Sequence, residues 1–128
     1  MGGTFRDLKC WQKAFDLAVA VYAATRGFPK EELFALTNQL RRAAISVMSN
    51  IAEGKGRLSD KDSLRFFGNA RGSLFEIESQ IDIAEKLTYV SQVDARVIRS
   101  QTSEVGKLLN GLIRSFNSDS RNEKANAA

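Results

Sequence analysis

Apolar positions recur at steps of three and four through four stretches of the chain, the spacing that lines one face of an α-helix. The first stretch carries Leu8, Trp11, Phe15, Ala18, Tyr22 and Thr25. It stops at Gly27, a residue type that can take the left-handed conformation just beyond a helix end. Pro29 then opens a second helix, where its missing N–H costs nothing, and Glu31 and Glu32 sit at the positive end of the dipole. The second stripe is Leu33, Leu36, Leu40, Ala44, Val47 and Ile51, flanked by another apolar line of Phe34, Ile45, Met48 and Ala52. One line is enough to face a bundle core, so two lines predict a helix covered on two sides. The helix is expected to stop at Gly54, with Gly54-Lys55-Gly56-Arg57 as a turn.

Ser59 and Asp62 then form an approximate capping box for a third helix, with Asp in place of the usual Glu or Gln. Its stripe is Phe67, Ala70, Leu74, Ile77, Ile81 and Ala84. Gly68 and Gly72 lie four apart on it, either admitting a neighbouring backbone or simply tolerated at some cost in helix propensity. Ser91 and Asp94 repeat the start signal for a fourth helix, striped by Ile98, Gln101, Val105, Leu108, Leu112 and Phe116. Short connections make successive helices antiparallel neighbours. The pattern therefore predicts an all-α, antiparallel up-down-up-down four-helix bundle: one domain over residues 1–116, followed by a polar, disordered tail over 117–128.

Composition narrows the chemistry. In 128 residues there is no histidine and a single cysteine, Cys10. Without histidine the commonest general acid–base and the commonest metal ligand are missing, so no metal site and no Ser-His or Cys-His nucleophile is expected. Cys10 cannot form an internal disulfide, which suits a reducing cytoplasm, and beside Trp11 it reads as a small apolar residue. Gly54-Lys55-Gly56 lacks the spacing of a phosphate-binding loop and follows no strand. Glu76, Glu78, Asp82 and Glu85 read as the wet face of the third helix, with an acid–base pair as the alternative. Arg6 stands where a myristoylation signal needs Ser or Thr, and no apolar run is long enough to span a membrane. No cofactor and no small-molecule substrate are indicated.

Charge adds a location. The formal net charge is +4, and residues 39–72 carry seven basic groups against three acidic ones, while the other segments nearly balance. The seven are Arg41, Arg42, Lys55, Arg57, Lys61, Arg65 and Arg71. Such a concentration attracts a phosphate backbone, and arginine suits bidentate phosphate contacts. The competing reading is pairing: Arg41 and Arg42 lie mid-helix beside apolar residues, and one of them could be paired internally or across a subunit contact with Glu53. Nothing in the pattern reads base sequence.

Residues 39–54 contain Gln39-Leu40-Arg41-Arg42-Ala43-Ala44-Ile45-Ser46-Val47 and Asn50-Ile51-Ala52-Glu53-Gly54. This run resembles the signature of the bacterial four-helix-bundle family encoded in intervening sequences of 23S ribosomal RNA genes. Asp7-Leu8 with Trp11-Gln12-Lys13-Ala14, Phe28-Pro29-Lys30-Glu31-Glu32, Arg65-Phe66-Phe67 and Ala70-Arg71-Gly72-Ser73-Leu74 match in order, over roughly residues 5–116. One departure is Met48-Ser49, where many relatives carry a proline; its loss would straighten the second helix. The resemblance implies four antiparallel helices and assembly into a homopentameric ring. It also implies distant kinship with the accessory protein of diversity-generating retroelements, a basic pentamer that binds nucleic acid and a reverse transcriptase.

The expectation drawn from both lines is a non-enzymatic, cytoplasmic, homopentameric accessory protein that binds RNA or DNA backbone through the seven basic residues. Phe34, Ile45, Met48 and Ala52 would form the oligomer interface. The alternative is a protein-interaction scaffold whose basic surface meets an acidic partner such as a polymerase or reverse transcriptase. An enzyme would require a buried carboxylate pair or a low-pKa Cys10.

Overall fold

The computed structural model describes residues 3–127, with side chains described for 3–118; Met1-Gly2 lie outside this range. Four α-helices follow one another: α1 (Lys9–Thr25), α2 (Leu36–Lys55), α3 (Asp60–Lys86) and α4 (Gln92–Ala127). Short 3₁₀ turns at Phe5–Asp7 and Lys30–Glu32 precede α1 and α2. Each helix packs on its two neighbours, α1 and α3 both touching α2 and α4, and among the described residues the diagonal pairs do not meet. The fold is the antiparallel four-helix bundle. The backbone of α4 passes Asn117, where the apolar stripe ends, and the loose tail expected from 117 falls almost wholly beyond the described side chains.

The core is one cluster running the length of the bundle. The α3 stripe lies entirely within it, from Phe67 and Ala70 through Ala84, and α2 contributes Leu40, Ala43, Ala44, Val47 and Ile51. Phe67 stands edge-on to Phe116 of α4, with ring centroids 5.0 Å apart. Polar ties cross the helices as well: the Ser73 hydroxyl donates to Ser46 Oγ at 2.9 Å, and Arg99 on α4 bridges Asp82 and Glu85 on α3.

Several local expectations are corrected. The buried face of α1 is Cys10, Ala14, Leu17, Ala18, Val21 and Thr25; of the expected stripe, Ala18 and Thr25 lie on it and Leu8 and Trp11 pack against the core, while Phe15 and Tyr22 are exposed. Two apolar lines run along this helix, one buried and the other, with Phe15, Val19 and Tyr22, exposed. Pro29 does not open α2; it precedes the 3₁₀ turn, and α2 proper begins at Leu36, which leaves Leu33 half-exposed. Neither Gly27 nor any other described glycine has positive φ. α2 runs unbroken through Met48-Ser49 and past Gly54 to Lys55, and Gly56 caps it. Ser59 and Ser91 cap as expected, each hydroxyl accepting from the backbone N–H three residues on, at 3.2 and 3.1 Å.

Candidate interaction surfaces

The seven basic residues do not form one patch. Arg41 turns inward: its Nε donates to Thr25 Oγ1 at 2.8 Å and its guanidinium lies 4.9 Å from the Tyr22 ring centre, tying α2 to α1. Arg57 and Arg65 flank the Phe66 ring from 4.1 and 4.4 Å and share the Asp62 carboxylate, and Arg57 also pairs with Glu53. Glu53 is thus taken by Arg57, not by Arg41 or Arg42. Lys55 and Lys61 are exposed at the α2–α3 turn, Arg42 is exposed on α2, and none of the three has an ion-pair partner among the described residues. Arg71 leans on Phe75 at 5.7 Å and lines a groove of about 240 Å³ between α3 and α4. Lys107 and Asn110 face it across that groove. Lys107 was not singled out from sequence, because charge counted along the chain does not see two helices meeting.

A second surface is apolar. Of the four interface candidates, Phe34 is 90% exposed and Ile45 41%, while Met48 and Ala52 are half-buried and Met48 packs partly on the core. The structure enlarges this line with Phe15, Val19 and Tyr22 from α1, all exposed. All of these but Ala52 line two adjoining grooves of about 690 and 280 Å³ that share Tyr22 and Ile45. Arg41 and Arg42 edge the larger groove and Arg26 the smaller; no carboxylate lines either. Isolated exposed apolar residues are ordinary on protein surfaces; here several adjoin one another along α1 and α2.

The expected wet face of α3 divides. Glu76, Glu78 and Asp82 are exposed, and Glu85 is partly buried where it meets Arg99. Burial pushes the Cys10 thiol from its ordinary 9.0 up to about 12, so at neutral pH it is a protonated, apolar side chain. Among the described residues no group of acidic or sulfur side chains is placed to hold a metal ion, and no helix is long and apolar enough to cross a membrane.

Comparison with known proteins bears on fold and family. Among curated proteins none matches the chain. A solved structure from Bacteroides thetaiotaomicron, described as a protein with unknown function from the S23 ribosomal protein family, superposes with a TM-score of 0.76. The match has 22% sequence identity and covers 82% of this chain and 95% of that one, a likeness of fold. The family model of the 23S rRNA-intervening sequence protein matches residues 6–111, a span that takes in the Arg41–Gly54 run, the basic turn and the apolar face. The chain therefore belongs to the 23S rRNA-intervening sequence protein family.

Proposed function

We propose that this protein is a non-enzymatic, cytoplasmic accessory protein that assembles as a homopentamer and binds the phosphate backbone of RNA or DNA. The observation that carries the nucleic-acid reading is the set of exposed cations at Lys55, Lys61 and Arg71, none with a carboxylate partner among the described residues. Lys107 lies beside Arg71 in a groove that Glu78 also lines. Paired arginines contribute little net field, so Arg57 and Arg65 take a smaller part than their number suggests. Five copies of a +4 chain would carry about +20, enough to draw a polyanion from a distance. The family's association with a ribosomal RNA gene, and the distant kinship with the retroelement accessory protein that the resemblance implies, support the same reading.

The test is a titration of structured RNA and duplex DNA at low and moderate ionic strength. Binding that weakens steeply with salt and varies little with sequence is the expected result. Absence of binding to either at low salt overturns it. The exposed apolar grooves favour a second reading, a scaffold for a protein partner such as a polymerase or reverse transcriptase. A partner that stays attached after nuclease treatment would favour that one.

A further inference from the structure

The groove of about 240 Å³ between α3 and α4 is open at its floor, where position 106 is glycine. A Cβ there would meet only Leu74 Cδ1, at 4.0 Å, so a longer side chain would project into the groove. Phe75 stands on the α3 wall, 57% exposed and with no aromatic neighbour among the described residues. On the same flank of α3 by helical register, Gly68 and Gly72 have open space where a side chain would begin, which leaves the approach along α3 clear. The groove is also polarised. Gly106 faces Leu74 and the two helices are antiparallel, so Lys107 and Asn110 fall toward the Arg71 end and Ser103 toward the Glu78 end. Arg71 and Glu78 are seven residues apart, about 10 Å along α3, with Phe75 between them. Neither they nor Lys107 form an ion pair among the described residues.

We infer that this groove holds one unpaired nucleotide of a nucleic-acid strand, its base against Phe75 and its phosphate between Arg71 and Lys107. The occupant presupposes the nucleic-acid binding proposed above and gives it a form, single strands in preference to duplex. Each part of the groove answers to a part of a nucleotide. An exposed ring offers a stacking surface to a base whose faces are free, and in a duplex those faces are covered by neighbouring base pairs. Cations on opposite walls share a phosphate well, the guanidinium as a two-pronged donor and the ammonium as a point charge. Glu78 would repel a phosphate beside it. At the far side of the ring it instead meets the edge of the base, where a carboxylate accepts from an exocyclic amino group. Cytosine carries that group and uracil does not, so the groove favours cytosine of the two pyrimidines. An acidic peptide would satisfy the Arg71 end but leave Phe75 and Glu78 without a use.

The test is fluorescence anisotropy at low salt with a short oligocytidylate, an oligouridylate of equal length and a blunt RNA duplex. The parent is expected to bind oligocytidylate more tightly than either of the others. Phe75→Ala is expected to weaken oligocytidylate binding about tenfold, the loss of one stacked base, and to leave the duplex unchanged. Gly106→Leu fills the groove with every charge retained and is expected to act likewise. Glu78→Gln is expected to remove the preference for oligocytidylate over oligouridylate. All three positions lie outside the buried core, and helical circular dichroism and melting temperature check that each variant folds. Oligocytidylate binding no tighter than duplex binding, or indifferent to both Phe75→Ala and Gly106→Leu, would overturn the groove assignment with the backbone reading left standing. Absence of binding to all three RNAs overturns both. Cytidine monophosphate at micromolar concentration, or polyglutamate, bound by the parent and lost in Gly106→Leu would give the groove to a free nucleotide or an acidic peptide and overturn the strand.

Discussion

The ring of Phe67 lies so close to the Cα of Gly54 that a methyl group there would fall 2.7 Å from Cδ1 and nearer still to Cε1. Gly68 and Gly72 are the opposite case: a Cβ at either has nothing within 4 Å outside its own helix. Similar residues thus carry opposite consequences. Gly54→Ala is expected to lower stability by about 1–3 kcal/mol through overpacking. Gly72→Ala is expected to raise it by roughly 0.5–1 kcal/mol through helix propensity alone. Denaturant midpoints of the two variants against the parent check both signs. Cys10 supplies a pH test. Its folded-state pKa is raised to about 12, so the stabilising contribution is fully present below its ordinary value of 9.0 and is lost as pH climbs between the two. Unfolding free energy is expected to fall over that alkaline range, and the part due to the thiol to disappear in Cys10→Ala. Alkylation of the native protein near pH 8 is expected to follow unfolding rather than precede it.

At the scale of elements, the turn between α3 and α4 closes with the pattern of a Schellman cap. Tyr89 N–H donates to the Ala84 carbonyl at 2.9 Å and Thr88 N–H to that of Glu85 at 3.0 Å. The residue just past the cap residue Leu87 must be left-handed, and here it is Thr88, with φ at +61°, where glycine is the usual choice. A β-branched residue pays steric strain there. Thr88→Gly is therefore expected to stabilise the bundle by about 1 kcal/mol, read from a thermal or urea melt; unchanged or lower stability would show that the Thr88 hydroxyl, which donates to the Leu87 carbonyl at 2.6 Å, offsets the strain. The starts of the last two helices were legible, whereas that of α2 was displaced from Pro29 to Leu36. Ser59 and Ser91 announce α3 and α4 because a hydroxyl before an apolar run has a local partner three residues on. Gly27, Gly54 and Gly56 look alike in sequence, yet one follows α1, one is buried under Phe67 and one caps α2. Only the neighbouring helix distinguishes them.

Across the whole molecule, folding redistributes the +4 charge. Arg41 is spent on Thr25 and Tyr22, and Arg57 and Arg65 are shared with carboxylates at the turn. Neutralising Lys55 and Lys61 together is expected to weaken polyanion binding more than neutralising Arg57 and Arg65, and to flatten its salt dependence further. Parallel titrations of structured RNA with the two double variants measure the difference. Equal losses would show that the turn acts as one patch despite its ion pairs.

What the sequence determined by itself was local or periodic: four helices, their antiparallel order, the serine caps, the α3 core stripe and a charge excess in residues 39–72. Each of these depends on residues close in the chain or on a repeat that any helix must obey. Which of two apolar lines on α1 turns inward, which glycine carries a phenyl ring and which arginine is free were decided by tertiary structure. These depend on the distance between helices, and no spacing along one helix encodes the shape of its neighbour. The same contacts left Phe15, Tyr22 and Phe34 outside on one flank of α1 and three alanines on the other.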